Sequence, residues 1–228
     1  MPAMENIADV PDHYFERGIS LNVVRHHFQR GQSIIRIAAG FFTVCGYSLV
    51  RKAASGKKLF LLVGMEEPGK EAARRAMVSD ILLDLRIGRD VDRRVAVRDL
   101  VERMRGGGLR ILDARALVHH AKVYLVDETV ALVASANVTG RGLQGAIEAG
   151  AVVRDAAAVQ HYVSRFDALF HAPECVDITQ ELLAAFAGWL EFVHPWNVYL
   201  RTLLALKSLE ETRLQRPGYK NLFLISAT

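Results

Sequence analysis

The chain has 228 residues, 51% of them hydrophobic, and 29 Lys and Arg against 25 Asp and Glu give a formal net charge of +4. That is enough apolar chain for one substantial core, or one core plus a helical appendage, yet no apolar run approaches the ~18–20 residues needed to span a bilayer. Cys45 and Cys175 lie far apart with no C-x-x-C, which indicates neither a zinc site nor a disulfide framework, and the acidic opening MPAMENIADVPDHYFERG lacks the basic and apolar regions of a secretory signal, so a soluble cytoplasmic protein is expected.

Taken in order, residues 20–30 (SLNVVRHHFQR) read as a helix closed by Gly31, and 33–39 (SIIRIAA) as a short β-rich strand before Gly40. Residues 43–54 carry helical apolar spacing at Val44, Tyr47, Leu49 and Val50. After the turn Ser55-Gly56, Lys58 to Val63 is a continuous apolar strand of the kind buried on both faces. Pro68 suits a helix first turn, and Glu71 to Leu85 continues helically. A further helix around Val91 to Met104 ends in Gly106-Gly107-Gly108, a turn or hinge.

Strands follow at Leu109–Asp113, Val118–Val126 and Val130–Ser135, then a loop or single helical turn at 140–145, a strand at 148–154 and a helix at 156–170. The strand–helix alternation predicts an α/β fold, a mixed central sheet flanked by helices. Beyond His171-Ala172-Pro173 the pattern turns to two helical runs, 178–192 and 196–214, with no strand pattern until 221–226. The expected division is therefore a sheet domain over 1–173 and a helical extension over 174–228, a linker or interaction segment. Trp189 and Trp196, in those helices, read as packing residues rather than a base-stacking platform.

Between Arg86 and Arg115 stand nine arginines and no lysine, interleaved with five acids, so this block alone carries a charge excess equal to that of the whole chain. Arg93, Arg94, Arg98, Arg103 and Arg105 are its candidates for contact with a nucleic-acid backbone. The same alternation also describes a solvated helix whose arginines pair with Asp and Glu at i,i+3 or i,i+4.

The chemistry concentrates between His119 and Glu148, HHAKVYLVDETVALVASANVTGRGLQGAIE. His120, Lys122 and Asp127 form H-x-K-x4-D, followed by Ala134-Ser135-Ala136-Asn137. On a strand His120 and Lys122 would share one face, with His119 and Asp127 on the other. A histidine, a fixed cation, a hydroxyl and an amide converging on one oxyanion suit phosphoryl chemistry: a nucleophile, a charge clamp and neutral donors.

At these residues the chain resembles the phospholipase D superfamily, whose signature is H-x-K-x4-D-x6-G-S-x-N. His120, Lys122, Asp127, Ser135 and Asn137 match in register, and Ala134 replaces the usual glycine. The single-motif nuclease branch of that superfamily adds a downstream glutamate after Asn-x; Ala146-Ile147-Glu148 keeps the acid and loses the asparagine. No other histidine has a lysine two residues on, so the chain carries one motif. The resemblance implies that two histidines act together, one attacking phosphorus and one protonating the leaving oxygen, which in a one-motif chain means a homodimer with the motifs meeting on a two-fold axis.

It further implies these roles: His120 as nucleophile and, in the second subunit, as acid and base; Lys122 and Asn137 as holders of the non-bridging oxygens; Ser135 as a supporting donor; Glu148 as the group that fixes the tautomer of His120; Asp127 as a structural residue. No cofactor and no metal are implied, since lysines supply the positive charge, and His26-His27 lacks the carboxylate or cysteine partners of a metal site. The expected function is a metal-independent phosphodiesterase, foremost a DNA endonuclease, with DNA or another nucleic acid as partner. The alternatives are a phospholipase or phosphatidyl transferase, and a non-catalytic DNA-binding dimerisation module of a helicase, restriction or phage-defence assembly.

Overall fold

The computed structural model describes residues 10–64, 91–117, 119–192 and 195–214. The helix expected over 71–85, Arg86, Arg89 and the strand expected over 221–226 lie outside them. The elements in chain order are β1 (His13–Arg17), α1 (Ile19–Arg30), β2 (Ile34–Ala39), α2 (Val44–Val50), β3 (Lys58–Val63), α3 (Val91–Arg105), β4 (Leu109–Asp113), β5 (Val123–Val126), β6 (Val130–Ala134), β7 (Ile147–Val153), α4 (Ala156–Phe170), β8 (Val176–Asp177), α5 (Thr179–Phe192) and α6 (Pro195–Leu214). Among the described residues the strands form one eight-stranded mixed sheet, ordered β1-β7-β6-β5-β2-β3-β4-β8. β2, β3 and β4 are parallel, and every other pairing is antiparallel.

The sheet is covered on both faces because its central strands carry apolar residues at both parities. Ala38, Leu62, Leu112 and Leu125 face α4, where Val159, Val163, Phe166 and Phe170 complete a buried cluster. Phe28 of α1 meets Tyr124 of β5 on the opposite face, with Ile35, Ile37 and Leu61 buried there. Arg36, only 8% exposed, reaches from β2 to α4, where Nε donates to Asp167 Oδ1 at 2.9 Å and Nη2 to Oδ2 at 3.4 Å. A buried guanidinium is tolerable only with a partner of this kind.

Several expectations shift by a few residues for local reasons. α2 starts when the Thr43 hydroxyl accepts the Gly46 N–H at 3.0 Å, a standard N-cap. It ends at Val50, and turns fill 51–56. The strand expected from Val118 begins only at Val123, with 119–122 irregular. β1 and β8 are additional strands with weak signatures: β1 buries only Tyr14, and β8 has two exposed residues. β8 pairs with β4 and Thr179 Oγ1 accepts the Ile111 amide at 2.9 Å, so the first compact unit runs to Phe186, past the boundary expected at 173, and the second spans Ala187–Thr228. Within the second unit, the Trp196 and Tyr199 rings on α6 lie 5.6 Å apart. No described helix is long and apolar enough to cross a membrane.

Asp127 holds the start of β2. It sits in the β5–β6 turn at φ 50°, a left-handed conformation that Asp adopts more readily than most residues. Its carboxylate accepts the amides of Gln32 (2.7 Å), Ser33 (2.9 Å) and Ile34 (2.9 Å), and the Ser33 hydroxyl at 2.9 Å. Partial burial pushes the carboxyl pKa up, but the amides of Gln32, Ile34 and Ser33 outweigh it and hold it below the ordinary carboxylate value. Asp127→Ala should cost about 2 kcal/mol at neutral pH, since several N–H donors lose a charged acceptor. A depressed folded-state pKa gives stability that is complete above the unfolded value near ~4 and is lost as pH falls through the folded value. Urea unfolding should therefore show the gap between wild type and variant narrowing toward pH 3; a gap constant with pH would contradict this role.

Candidate active site

One edge of the sheet collects the motif. The parallel strands β2, β3 and β4 end there, and the register Ala38↔Val123, Ala134↔Gly150 and Glu16↔Glu148 brings the start of β5, the end of β6 and the start of β7 to the same edge. Ligands in open α/β sheets bind outside such carboxyl ends. His120 and Lys122 precede β5, Ser135 and Asn137 follow β6, and Glu148 opens β7. Asp127 is at the opposite edge, with the β2 start.

His120 and Lys122 meet directly, although not by strand parity, since 119–122 is irregular. Lys122 is 7% exposed, and its Nζ lies 2.8 Å from His120 Nε2 and donates to the His120 carbonyl at 3.0 Å. An ammonium can only donate, so this contact assigns a lone pair to Nε2 and the proton to Nδ1. That is the tautomer in which Nε2 is a nucleophile.

Asn137 is oriented by the loop after β2. Its Oδ1 accepts the Gly40 amide at 2.9 Å and the Phe41 amide at 3.0 Å. With the acceptor end consumed, the Nδ2 end, a double donor, is turned away from those amides. The loop is fastened to the same segment by the Thr43 amide on Val138 O at 2.9 Å. Gly46 permits that approach, because a Cβ there would fall 2.2 Å from Val138 O. Tyr124, fully buried, donates to Ala136 O at 2.7 Å.

Ser135 Oγ donates to Glu148 Oε2 in a very short hydrogen bond and accepts the Ala149 amide at 3.0 Å. The carboxylate that sequence reasoning aimed at His120 is thus engaged by Ser135, and the Ser135 proton points to Glu148. Tyr14, from β1, packs its ring on Gly150. Burial raises its pKa, and the Glu148 charge raises it further, against a smaller opposing effect of the Ser20 hydroxyl. Neither departure from the family signature strains the backbone: Ala146 has φ −101°, and Asp127 is the non-glycine residue at positive φ among those described.

His119 lies beside the motif pair. Its pKa is lowered, first by burial and then by the Lys122 and His120 charges. Both ring nitrogens are buried without a hydrogen-bond partner, and the ring fills the space a Cβ on Gly64 would need, at 2.5 Å. The His119 ring packs against Gly64, just after the end of β3.

The C-terminal end of the arginine block is engaged elsewhere. Arg103 donates to Asp99 (3.1 Å), Lys57 O (2.9 Å) and Ala54 O (2.9 Å), which fastens α3 to the chain just before β3, at the opposite edge. The pairing reading of the block describes Arg103, whose guanidinium is engaged within the protein. Arg105 follows it at the end of α3; Arg98 and Arg105 are exposed, and Arg93 and Arg94 are half-buried. Among the described residues no group of three His, Cys, Asp or Glu side chains is placed to hold a metal ion.

Comparison with known proteins places these residues in context. The family model described as "Cardiolipin synthase, PLD-like domain" matches residues 25–170. No curated protein sequence matches the chain. Among solved structures, phosphatidylserine synthase from Haemophilus influenzae Rd KW20 is similar with a TM-score of 0.51 and 17% identity over 77% of this chain and 44% of that one. This chain therefore spans less than half of that synthase. Nuc, a phospholipase D family member from Salmonella typhimurium, gives a TM-score of 0.45 and 14% identity, covering 68% of this chain and 88% of its own. NucT from Helicobacter pylori gives 0.42 and 12%, covering 69% and 90%.

Proposed function

Because the chain belongs to the phospholipase D-like domain family, we propose that it is a phosphodiesterase, and foremost a DNA endonuclease, acting through a covalent phosphohistidine at a site shared by two subunits. The observation that carries this reading is the 2.8 Å contact of Lys122 Nζ with His120 Nε2, which presents the histidine as a nucleophile. A phosphodiester entering the edge draws Lys122 onto a non-bridging oxygen and frees the Nε2 lone pair. Nε2 bonds to phosphorus as the P–O bond to the leaving group breaks, and the leaving oxygen takes a proton from the protonated His120 of the second subunit. That histidine then removes a proton from water, whose oxygen bonds to phosphorus as the P–N bond breaks.

Asn137 Nδ2 and Lys122 hold the charge that builds on the non-bridging oxygens. The Ser135–Glu148 pair sits beside them as an anchored acid. The chain carries a single motif, so the two-histidine scheme requires a homodimer with the edge at its two-fold axis. Charge comes from lysine and amide groups, so turnover is expected in the presence of a chelator.

A second reading rests on the rim of this edge. Phe15, Ile147 and Phe41 are 76%, 57% and 45% exposed, and large apolar side chains beside a phosphate site also suit a phosphatidyl substrate. Supercoiled-plasmid cleavage in EDTA, wild type against His120→Ala, separates the readings. Nicking by the wild type alone supports the endonuclease. An inert plasmid with turnover of phosphatidyl vesicles moves the assignment to the lipid enzyme. Activity abolished by EDTA and restored by magnesium overturns the metal-independent scheme.

A further inference from the structure

Two exposed side chains stand on backbone that is itself fastened to Asn137. The first is Phe41. Its amide donates to Asn137 Oδ1 at 3.0 Å, beside that of Gly40 at 2.9 Å. The next residue, Phe42, is buried and bridges to Val138, and the Thr43 amide closes on Val138 O at 2.9 Å. The loop is therefore pinned at and after Phe41, yet the Phe41 side chain stays 45% exposed. A lone exposed apolar residue on a surface calls for no explanation. This one differs because its main chain is held by the side chain that the scheme above gives to the non-bridging oxygens. The ring is thus rooted beside the reacting phosphate.

The second is Arg141, which opens the turn after Asn137. That turn folds back on Asn137: a Cβ on Gly142 would fall 2.8 Å from Asn137 O and 3.0 Å from Asn137 N. Thr139 Oγ1 accepts the Gly142 amide at 2.9 Å, and the Ala146 amide closes on Arg141 O at 2.8 Å. The Arg141 stem lies along Gly145, where a Cβ would meet its Cγ at 3.6 Å. Its side chain is exposed. Arg17 Nη1 donates to Gly145 O at 3.1 Å, which sets a second guanidinium against the same turn.

An exposed aromatic ring stacks on a nucleobase of any identity, since every base has a π-face, and a guanidinium takes a phosphate through paired N–H donors. A polynucleotide supplies both beside each phosphodiester: a base on the adjoining sugar, and a further phosphate one nucleotide on. We propose that Phe41 and Arg141 select a polynucleotide at this site, the Phe41 ring by stacking on the base beside the scissile phosphodiester and Arg141 by holding the neighbouring phosphate. The inference rests on the phosphodiesterase reading above, and adds to it the two contacts that tell a polynucleotide from a smaller diester.

The test compares kcat/KM of the full chain on three substrates: a thymidine oligonucleotide, an abasic oligonucleotide of the same length, and the thymidine dinucleotide with its single phosphodiester. Any effect of a substitution on Asn137 falls on all three alike, so the ratios isolate the ring and the guanidinium. Phe41→Ala should lower the ratio of thymidine to abasic oligonucleotide at least about fivefold, and Phe41→Trp should keep it. Arg141→Gln should lower the ratio of oligonucleotide to dinucleotide at least about fivefold, and reduce the salt dependence of oligonucleotide cleavage by about one phosphate contact. Ratios that stay put overturn the proposal, as does an equal loss on all three substrates in Phe41→Ala and Phe41→Trp, which would make Phe41 structural. If the wild type cleaves none of them, the catalytic reading fails and this one is judged by binding. Kd values for the same three ligands, measured by fluorescence anisotropy on the His120→Ala chain with and without each substitution, must then show the same ratios. Turnover of phosphatidyl vesicles without binding of either oligonucleotide overturns the proposal and leaves the phosphodiesterase standing.

Discussion

Equal amounts of wild-type and His120→Ala subunits, fully reassorted, are expected to retain about a quarter of the cleavage activity rather than half, because only dimers with both histidines intact turn over. The reason lies in the division of labour. In the proposed scheme one His120 makes the bond to phosphorus, and the other supplies and then recovers the proton, so a dimer lacking either ring would be stalled at the first or second step. The His120→Ala homodimer should fall by about 10⁴-fold or more, since no neighbouring group in the described site substitutes for a neutral imidazole nucleophile. His119 is adjacent in sequence, but it is packed on Gly64 and its pKa is depressed mainly by burial. Titrating variant subunits into wild type and plotting activity against the wild-type fraction distinguishes the models. A square law supports the shared site, and a straight line would mean that each chain works alone.

Replacing Lys122 with methionine should reduce single-turnover cleavage by about 10²–10³-fold while leaving the fold intact. Methionine keeps the length of the stem and its packing, and the substitution removes a charge from a position that is 7% exposed, so no stability penalty is expected from desolvation. Two functions are lost together. The ammonium that sits on His120 Nε2 at 2.8 Å no longer fixes the reactive tautomer, and the transferring phosphoryl group loses a cation. Lys122→Arg should not rescue, because the planar guanidinium cannot reproduce a point contact on Nε2 and the His120 carbonyl. A variant within threefold of wild type would remove Lys122 from the scheme.

The central sheet was legible because burial on both faces writes continuous apolar runs into the chain. Lys58–Val63 and Leu109–Asp113 are found where the sequence places them, and helix α4 at 156–170 likewise. The edge strands were not legible, for the converse reason: β1 buries one side chain in five, and β8 has no apolar face to announce it. The motif residues were found by spacing and resemblance, while their wiring was not. Parity on a strand was the basis for pairing His120 with Lys122, and the contact is instead made through an irregular 119–122. Glu148 also takes the Ser135 hydroxyl, a contact that the spacing alone does not reveal. The amides of Gly40 and Phe41 that turn Asn137 come from a loop almost a hundred residues earlier, and Tyr14 from further still. Such long-range partners leave no local periodicity to read.

The place of β1 in the sheet also sets an order of events. Its partner is β7, with His13 opposite Ala151 and Arg17 opposite Ile147, so the first strand of the chain closes a loop of well over a hundred residues. Loop-closure entropy of that size is met only after the intervening strands have formed a template. During synthesis the N-terminal segment must wait until β7 has left the ribosome, and until the two pair, the strand that bears Glu148 is an open edge, ready to pair with whatever strand is nearest. The pairing of β1 with β7 is therefore a late folding step, and it covers the open side of the strand that carries Glu148.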